Sequence, residues 1–397
     1  MDAIRNPYAP GAGTPPPELA GRDAIRNQVK IAIARIRIGR AAKSVLMVGL
    51  RGVGKTVLLD KMRAEAEADG IFTVRAETPE HRSLPSLLIP QLRSVLLRLN
   101  RIERAKTYAT RGLHALAGFA KAFKLKYNDI EIALDFEPEV GLADNGDLEN
   151  DLSVLFEEVG RAAQNAETAV VLFIDEIQYI EEAQFAALIS ALHRCAQSQL
   201  PLTIAGAGLP LLRGLAGNAK SYAERLFDFP TIGQLGDAEA ILALQKPASN
   251  EGVLFTAEAL EEILRRTRGY PYFLQEWGKH SWDVALQSPI TLEDVEEATK
   301  QAVIALDESF FRVRFDRLNP TEKRYLRSMA EIGPGPHRSG DIAKMMGKAV
   351  STVAPLRQSL IEKGMIWSPS HGDTAFTVPL FDEFMNRIMP GPGWKND

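Results

Sequence analysis

The sequence predicts an α/β fold with a parallel sheet at its core, followed by a helical lid and a C-terminal winged helix. A glycine-rich loop, Gly49 to Thr56, follows a short apolar run and opens into a segment with helical spacing. A second apolar run, Val170 to Ile174, lacks polar alternation and ends in two carboxylates, which is typical of a strand buried on both faces. Capped helical segments fill the chain beyond residue 236.

The loop has the pattern of a phosphate-binding loop: a glycine, four residues, then Gly-Lys-Thr. Glycines allow the backbone to approach a ligand closely, so that successive N–H groups surround phosphate oxygens. We expect Lys55 to reach the β- and γ-phosphates and Thr56 to bind Mg²⁺. A glycine-rich turn that binds nothing is the alternative. The predicted nucleotide-binding residues are Gly49, Gly52, Val53, Gly54, Lys55, Thr56 and Val57.

The two carboxylates after the second apolar run are Asp175 and Glu176. Ligands of open α/β sheets bind at the carboxyl ends of the strands, so these side chains should face the phosphates. We expect Asp175 to complete the Mg²⁺ shell with Thr56, and Glu176 to polarise the attacking water. An acidic helix cap would explain the pair without any function.

The composition is that of an ordinary globular protein. The chain has 397 residues, 45% hydrophobic and 25% charged, enough for two or three domains, and its net charge is -4. A single cysteine, Cys195, excludes an intramolecular disulfide and suits a reducing compartment. We find neither a bilayer-spanning apolar run nor a signal peptide, so a cytoplasmic protein without a membrane partner is expected.

Four regions follow one another along the chain. We expect a Pro- and Gly-rich arm at 1–19, either loose or extended over the core, an α/β core at 20–235, a helical lid at 236–307 and a winged helix at 308–397. Within the core, the patterns predict strands at 71–76 and 200–208, and helices at about 84–123 and 181–197.

Charge is segregated within residues 93–158, which form an insertion relative to a minimal core. Residues 93–126 hold nine Lys/Arg and one Glu, whereas residues 127–158 hold eleven Asp/Glu and no Lys/Arg. Alternation on both sides of Asn128-Asp129 predicts a β-hairpin. The basic part could contact nucleic-acid phosphate. Alternatively, the two parts are solvated faces that pair with each other.

The C-terminal region shows three capped helices and a hairpin, which is the pattern of a winged helix. The helices begin near Pro320, Ser339 and Ser351, and the hairpin joins 365–367 to 374–378. The third helix would enter a DNA major groove, with outward candidates Ser351, Thr352, Arg357 and Gln358. Winged helices also bind proteins, and the net charge of 319–397 is only +2.

In this order, the motifs over residues 19–390 resemble AAA+/STAND-type P-loop ATPases with a C-terminal winged helix, and in particular the origin-recognition and initiator group. The resemblance implies ATP and Mg²⁺ as ligands. It implies that Gly21 and Arg22 pack on adenine, that the proline region of Gly269-Tyr270-Pro271 packs on the base, and that Arg225 reaches a neighbouring subunit's γ-phosphate. A surface salt bridge is the alternative for Arg225, and a helix stop and start for Pro271.

The sequence also departs from that group. The strand before Gly206-Ala-Gly208 ends without the Asn or Thr usual at the sensor-one place, and Thr203 lies early in the strand. No arginine stands at the sensor-two place, although Arg266 and Arg268 precede the Gly-x-Pro motif. We therefore expect a slow, nucleotide-holding switch associated with duplex DNA. The alternatives are a STAND-type signalling or defence ATPase with protein partners, and a chaperone-like ATPase.

Overall fold

The structure is a computed structural model that describes residues 1–11, 13–78, 82–123, 126–127, 130–131, 136–370 and 372–395. The chain forms two compact units. The sheet unit comprises Arg22–Gly49 and Lys55–Ile232. The helical unit comprises Met1–Gly21, Leu50–Gly54 and Gly233–Asp397. No helix in the described ranges combines the length and apolarity that crossing a bilayer requires.

The sheet unit contains a parallel sheet flanked by helices. Its strand order is β2-β5-β6-β1-β7, and β8 also pairs with β1. The elements in chain order are α1 Asp23–Arg37, β1 Ser44–Gly49, α2 Lys55–Ala68, β2 Phe72–Glu77, α3 Leu84–Leu99, α4 Lys106–Ala122, β3 Lys126–Tyr127, β4 Ile130–Glu131, α5 Leu148–Asn165, β5 Val170–Asp175, α6 Glu182–Gln197, β6 Leu202–Gly208, α7 Leu212–Ala219, α8 Ala223–Leu226, β7 Phe227–Asp228 and β8 Thr231–Ile232.

The three central strands, β1, β5 and β6, are buried along their whole length, as their continuous apolar runs predict. The register places Asp175 beside Glu77 and Gly208 beside Val48, so the carboxyl ends of β2, β5, β6 and β1 lie at one edge. Since α2 begins at Lys55, directly after β1 and its loop, the glycine-rich loop belongs to this edge.

The helical prediction for 84–123 was too simple. Two helices, α3 and α4, are separated by a 3-10 turn over Glu103–Ala105. The helix α5 was not predicted from the sequence, because its acidic residues obscure the apolar stripe that it buries. Its carboxylates Glu157 and Glu158 are buried, and Asp147 caps its first turn by accepting from Asn150 N at 2.8 Å. The predicted hairpin is present as the antiparallel pair β3–β4, while its Asn128-Asp129 turn lies outside the described residues.

The helical unit is mostly α-helical with one small sheet of order β10-β11-β9. Its elements are α9 Asp237–Asn250, α10 Ala257–Thr267, α11 Pro271–Val284, α12 Leu292–Ala305, α13 Arg312–Phe315, α14 Pro320–Ile332, β9 His337–Arg338, α15 Ser339–Met345, α16 Val350–Glu362, β10 Ile366–Trp367, β11 Asp373–Phe376 and α17 Phe381–Ile388. A π-helical turn over Leu306–Phe311 joins α12 to α13.

The N-terminal arm lies on α9 and α11 of its own unit. Tyr8 is buried, donates its hydroxyl to the carbonyl of Leu244, and packs on Gly278, where an added Cβ would come within 2.7 Å of the ring. Trp282 Nε1 donates to the carbonyl of Asp2 at 2.9 Å, and Arg5 pairs with Glu251 at 2.7 Å. The arm is therefore held by specific contacts, and these are with α9 and α11 rather than with the α/β core that the second expectation named.

The C-terminal helices begin close to the predicted positions because their caps are strong local signals. Asn319 and Glu322 form a reciprocal capping box, with Pro320 at the first helical position. Glu322 is also buried and accepts from Lys363 at 2.7 Å and from Ser359 at 2.8 Å, which ties α14 to the end of α16. The helix α17 was not predicted, and its Phe381 and Phe384 are buried in the C-terminal core.

Candidate functional site

The phosphate-binding loop has the backbone that its glycines predict. Gly52 and Gly54 have φ angles of 80° and 87°, which favour glycine. An added Cβ at Gly54 would meet nothing within 4 Å, so the loop is open at that point. In the sheet unit, α2 begins at Lys55, a residue that is 6% exposed. Its ammonium group donates to the carbonyl of Gly49 at 3.0 Å. Thr56 and Val57 follow in the first turn of α2.

The predicted metal-binding pair is in contact within the sheet unit. The hydroxyl of Thr56 hydrogen bonds to the carboxylate of Asp175, which is 1% exposed at the end of β5. Burial raises the pKa of Asp175, while the Thr56 hydrogen bond opposes that shift. Arg75 lies 3.9 Å from Asp175, but its shorter ion pair is with Asp60 at 2.8 Å. Because Asp175 is buried and the Arg75 guanidinium is 3.9 Å away, a bound positive ion would stabilise its carboxylate.

Glu176 occupies a special backbone position. Its φ angle of 52° is left-handed, which is uncommon for a residue with a side chain and marks a tightly held turn. Thr78 holds this turn by donating its hydroxyl to the carbonyl of Glu176 at 2.6 Å and its backbone N–H to the carbonyl of Asp175 at 3.2 Å. The turn therefore directs the two carboxylates differently: Asp175 stays buried and Glu176 is half-exposed.

A side-chain amide connects Glu176 to the neighbouring strand. Gln178 donates from Nε2 to a carboxylate oxygen of Glu176, and its Oε1 accepts from the N–H of Leu209 at 3.0 Å. Leu209 directly follows β6. Thr203, considered for the sensor-one place, instead shares a 2.8 Å hydrogen bond with Ser44 at the opposite end of these strands. Thr203 therefore lies too early in β6 to reach the phosphates.

In the helical unit, two tyrosines pack on the crest of the loop. An added Cβ at Gly52 would lie 3.0 Å from the Tyr270 ring and 3.3 Å from Cβ of Tyr272. The N–H of Tyr272 donates to the carbonyl of Gly52 at 3.2 Å. The hydroxyl of Tyr270 is buried and has no hydrogen-bond partner among the residues that the structure describes. An orphaned buried hydroxyl beside a phosphate-binding loop fits a polar ligand.

Two guanidinium groups add positive charge near these tyrosines. Burial and the charge of Arg51 lower the pKa of Arg314 to about 10. The Arg314 guanidinium lies over the Phe310 ring, 4.0 Å from its centroid, and donates to the Phe310 carbonyl. Within the described ranges it forms no ion pair. A cation that is destabilised by burial and by a like charge favours a nearby anion.

The remaining predicted residues are Gly21, Arg22, Pro271 and Arg225. Gly21 has a φ of 67° and no room for a side chain beside Glu239, whereas Arg22 is buried before α1. Pro271 is the first residue of α11, as the helix-start interpretation requires. Arg225 is exposed on the short helix α8 and forms no ion pair with any described residue.

These residues fit a nucleotide and its metal ion. The positive φ angles of Gly52 and Gly54, and the orphaned Tyr270 hydroxyl, suit phosphate oxygens. Thr56 and Asp175 would hold Mg²⁺ through hard oxygen donors, which that ion prefers. The bound ion would supply charge stabilisation at the phosphates.

Sequence reasoning missed Thr78, Gln178, Tyr270, Tyr272 and Arg314. Gln178 had a local signal, since it lies two residues after Glu176, and Tyr270 and Tyr272 flank Pro271 of the Gly-x-Pro motif. The others come from distant parts of the chain, and their packing against the loop or the β5 turn is a tertiary property.

Comparison with known families gives two matches. Residues 18–205 match the family described as AAA ATPase domain. Residues 308–385 match a family described as "Domain of unknown function (DUF8462)". None of the curated proteins has a sequence that matches the chain.

Solved structures resemble the chain at low identity. A Walker-type ATPase of Pyrococcus abyssi is 16% identical over 94% of this chain and 98% of its own, with a TM-score of 0.59. Cdc6p from Pyrobaculum aerophilum is 14% identical over 98% of both chains, with a TM-score of 0.48. Aeropyrum pernix Orc1, in complex with DNA, is 13% identical over 94% of both chains, with a TM-score of 0.47.

At 16% identity the Pyrococcus protein shows the fold alone, and the two lower TM-scores support no argument. The family match, however, covers the loop from Gly49 to Thr56 and the Asp175-Glu176 pair. Residues 18–205 therefore resemble an AAA ATPase domain, and the chain is an ATPase with a phosphate-binding loop.

Proposed function

We propose that this ATPase is a slow nucleotide-dependent switch that acts on duplex DNA. One observation carries the proposal: in the helical unit, the loop crest at Gly52 packs on residues that stack directly onto the C-terminal region. A change in the bound nucleotide could therefore alter, through side chains in contact, the packing of a C-terminal region that can bind a macromolecule.

Hydrolysis is assigned to residues of the loop and the β5 turn. Lys55 stabilises the charge of the β- and γ-phosphates, and Thr56 and Asp175 hold Mg²⁺. Glu176 orients and polarises the attacking water. The proposed adenine contacts of Gly21, Arg22 and Pro271, and the choice of ATP over GTP, rest on the resemblance of their motifs.

The route to the C-terminal region consists of aromatic rings. Tyr272 stacks on Phe310 with centroids 4.6 Å apart, and Phe310 meets Phe311 at 5.4 Å. Phe311 then stacks on Phe384 of α17 at 5.2 Å. Because packed aromatic side chains move as a group, displacement of Tyr272 should alter the packing of α17. Arg314, which lies over Phe310, is placed to respond to the phosphate charge.

The C-terminal helices and sheet have the arrangement that a winged helix would have: α14, α15 and α16, then the β10–β11 hairpin with β9. On α16, Ser351, Thr352 and Gln358 are exposed and available to a groove. Arg357 is not: it donates to Thr374, Ser368 and the carbonyl of Asp373, so it fixes the hairpin to the helix. The expectation that Arg357 faces outward was wrong.

The basic insertion divides into paired and exposed groups. Arg111 lies 3.6 Å from Glu158, which supports the paired-face interpretation for that residue, whereas Arg104 pairs at 2.5 Å with Glu167, which lies beyond the acidic part. Arg101, Lys106 and Lys121 are exposed and form no ion pair with a described residue. Lys124 lies outside the described residues, as does the side chain of Lys126. The three exposed cations support a phosphate contact.

The alternative is a signalling or defence ATPase whose C-terminal region contacts a protein partner. The modest charge of that region favours it, since residues 319–397 carry a net of only +2. A chaperone-like ATPase remains a third candidate. Duplex DNA binding separates the first proposal from both others.

Substitution Glu176→Gln tests the hydrolytic assignment. We expect turnover to fall by about 10²- to 10⁴-fold, because the amide cannot polarise the water, while ATP affinity is retained. Steady-state phosphate release and calorimetric ATP binding measure the two quantities. Glu182→Gln, at an exposed position on α6, is the matched control and should keep full activity. Undiminished turnover in Glu176→Gln would remove Glu176 from its role.

Intrinsic fluorescence tests the switch, since all four tryptophans, at 277, 282, 367 and 394, lie in the helical unit. We expect ATP to change the emission of Glu176→Gln relative to ADP. Tyr272→Ala in that background should bind ATP yet lose the response, because the ring that contacts Phe310 is gone. Tyr222→Ala, at a half-buried tyrosine of the sheet unit, is the control. A full response in the Tyr272 variant would refute the aromatic route.

Anisotropy of a labelled duplex tests DNA binding. We expect affinity to fall with salt, and reversal of Arg101, Lys106 and Lys121 to Glu to reduce the log–log salt slope by up to about 3, one for each lost phosphate contact. Reversing Arg35, Arg40 and Lys61 makes the same charge change at other exposed positions of the sheet unit and serves as the control. Binding that is absent with ATP, or flat with salt, would exclude the DNA proposal.

Turnover per chain at rising concentration tests Arg225. If this arginine acts on a neighbour's γ-phosphate, wild-type turnover should rise as light scattering detects assembly with ATP, and Arg225→Ala should lower it by about 10³-fold. Arg40→Ala, at another exposed arginine of the sheet unit, should behave as wild type. A chain that stays monomeric with ATP, or an unaffected variant, would leave Arg225 as a surface residue.

A further inference from the structure

We propose that Gln178 is a positioning residue for ATP hydrolysis, whose side-chain amide orients the Glu176 carboxylate and ties it to the end of β6. The inference rests on the proposed role of Glu176. It concerns three residues of the sheet unit that lie in two neighbouring parts of the sheet edge, the turn after β5 and the end of β6.

The hydrogen bonds of Gln178 define which way its amide faces. The N–H of Leu209 can only donate, so the Gln178 atom that it contacts at 3.0 Å must be the carbonyl oxygen. The amide nitrogen then faces Glu176 and donates to its carboxylate. Each end of the amide therefore has the partner that its chemistry requires, and reversing the amide would break both contacts.

The end of β6 leaves room for this bridge because it carries glycines. A Cβ added at Gly208 would come within 2.8 Å of the Gln178 carbonyl oxygen. A Cβ added at Gly206 would come within 2.2 Å of Ile177, the residue before Gln178. Neither glycine has a positive φ, so a turn does not explain them. Close packing does: the turn after β5 approaches both glycines, and Leu46 and Leu212 lie within 2.8 Å and 2.9 Å of the added Cβ atoms at Gly206 and Gly208.

The bridge matters because Glu176 is half-exposed and its side chain has several rotatable bonds. One amide N–H occupies one of about four acceptor positions of a carboxylate, so this hydrogen bond orients the group without using its whole acceptor capacity. Since Leu209 N–H belongs to the rigid sheet, the amide holds Glu176 relative to the strands rather than to a mobile side chain. A misplacement of about 1 Å in such a group can reduce a rate by about 10²-fold.

The test uses the full chain with Gln178→Met and Gln178→Glu. Methionine keeps the volume and removes both hydrogen bonds, whereas glutamate keeps the acceptor for Leu209 but cannot donate to Glu176. We expect kcat to fall by about 10- to 100-fold in both variants, with the affinity for a non-hydrolysable ATP analogue and the thermal midpoint close to wild type. A loss of ATP affinity equal to the loss of kcat would indicate a structural role and overturn the proposal.

A matched control exists elsewhere in the sheet unit. Gln184 makes the same kind of bridge, accepting from Leu84 N–H at 2.6 Å and donating to Glu181 at 2.8 Å. Gln184→Met removes an equivalent pair of hydrogen bonds away from the β5 turn, so we expect kcat to be unchanged. An equal fall of kcat in this control would show that any lost bridge slows turnover, and would refute the special role of Gln178.

The double variant Glu176→Gln/Gln178→Met separates the two proposals. If Gln178 acts through Glu176, adding its substitution to Glu176→Gln should cause no further loss. Full turnover in Glu176→Gln alone would refute the proposed function. A slow Glu176→Gln with normal kcat in both Gln178 variants would refute only this inference. A raised kcat in Gln178→Met would also overturn it, since the amide would then restrain Glu176.

Discussion

A threonine hydroxyl holds the turn on which the chemistry of the sheet unit depends. Thr78 donates its hydroxyl to the carbonyl of Glu176 and its backbone N–H to the carbonyl of Asp175, and so supports the left-handed conformation of Glu176. In this conformation two adjacent carboxylates have different surroundings: Asp175 is buried against Thr56, and Glu176 remains half-exposed. One is thereby suited to a metal ion and the other to a water. Gln178 extends the same arrangement to the end of β6.

The crest of the phosphate-binding loop packs against two tyrosine side chains. This crest, Leu50–Gly54, belongs to the helical unit, where Tyr270 and Tyr272 pack on Gly52. The glycine is therefore required twice, for its positive φ and for the close approach of the rings. From Tyr272 the aromatic contacts continue through Phe310 and Phe311 to α17. Loop geometry and C-terminal packing are thus parts of one contiguous set of contacts.

Charge segregation in the sequence has two explanations in the structure. Some of the basic residues between 93 and 126 pair with acidic residues that follow them, as Arg111 does with Glu158. Others, such as Arg101 and Lys121, stay exposed on α3's C-terminal side and on α4. Composition alone could not separate the two groups, because pairing depends on how α4 and α5 pack. The same applies to Arg357, which was expected to face outward and instead binds the hairpin.

The sequence by itself determined the features that depend on local chemistry. The glycine pattern of residues 49–56, the apolar run before Asp175 and the Asn319–Glu322 capping box each act over a few residues, and each appears where expected. Only the tertiary structure decided what these elements meet. Tyr270, Tyr272 and Arg314 are more than two hundred residues from the loop, and Thr78 is about a hundred from the turn that it holds. Such contacts arise from strand order and helix packing, which periodicity and caps do not specify. The same physical reason explains why the end of β6 looked in the sequence as if it lacked a polar residue, when in the structure Gly208 lies against the amide of Gln178 and Gly206 against Ile177.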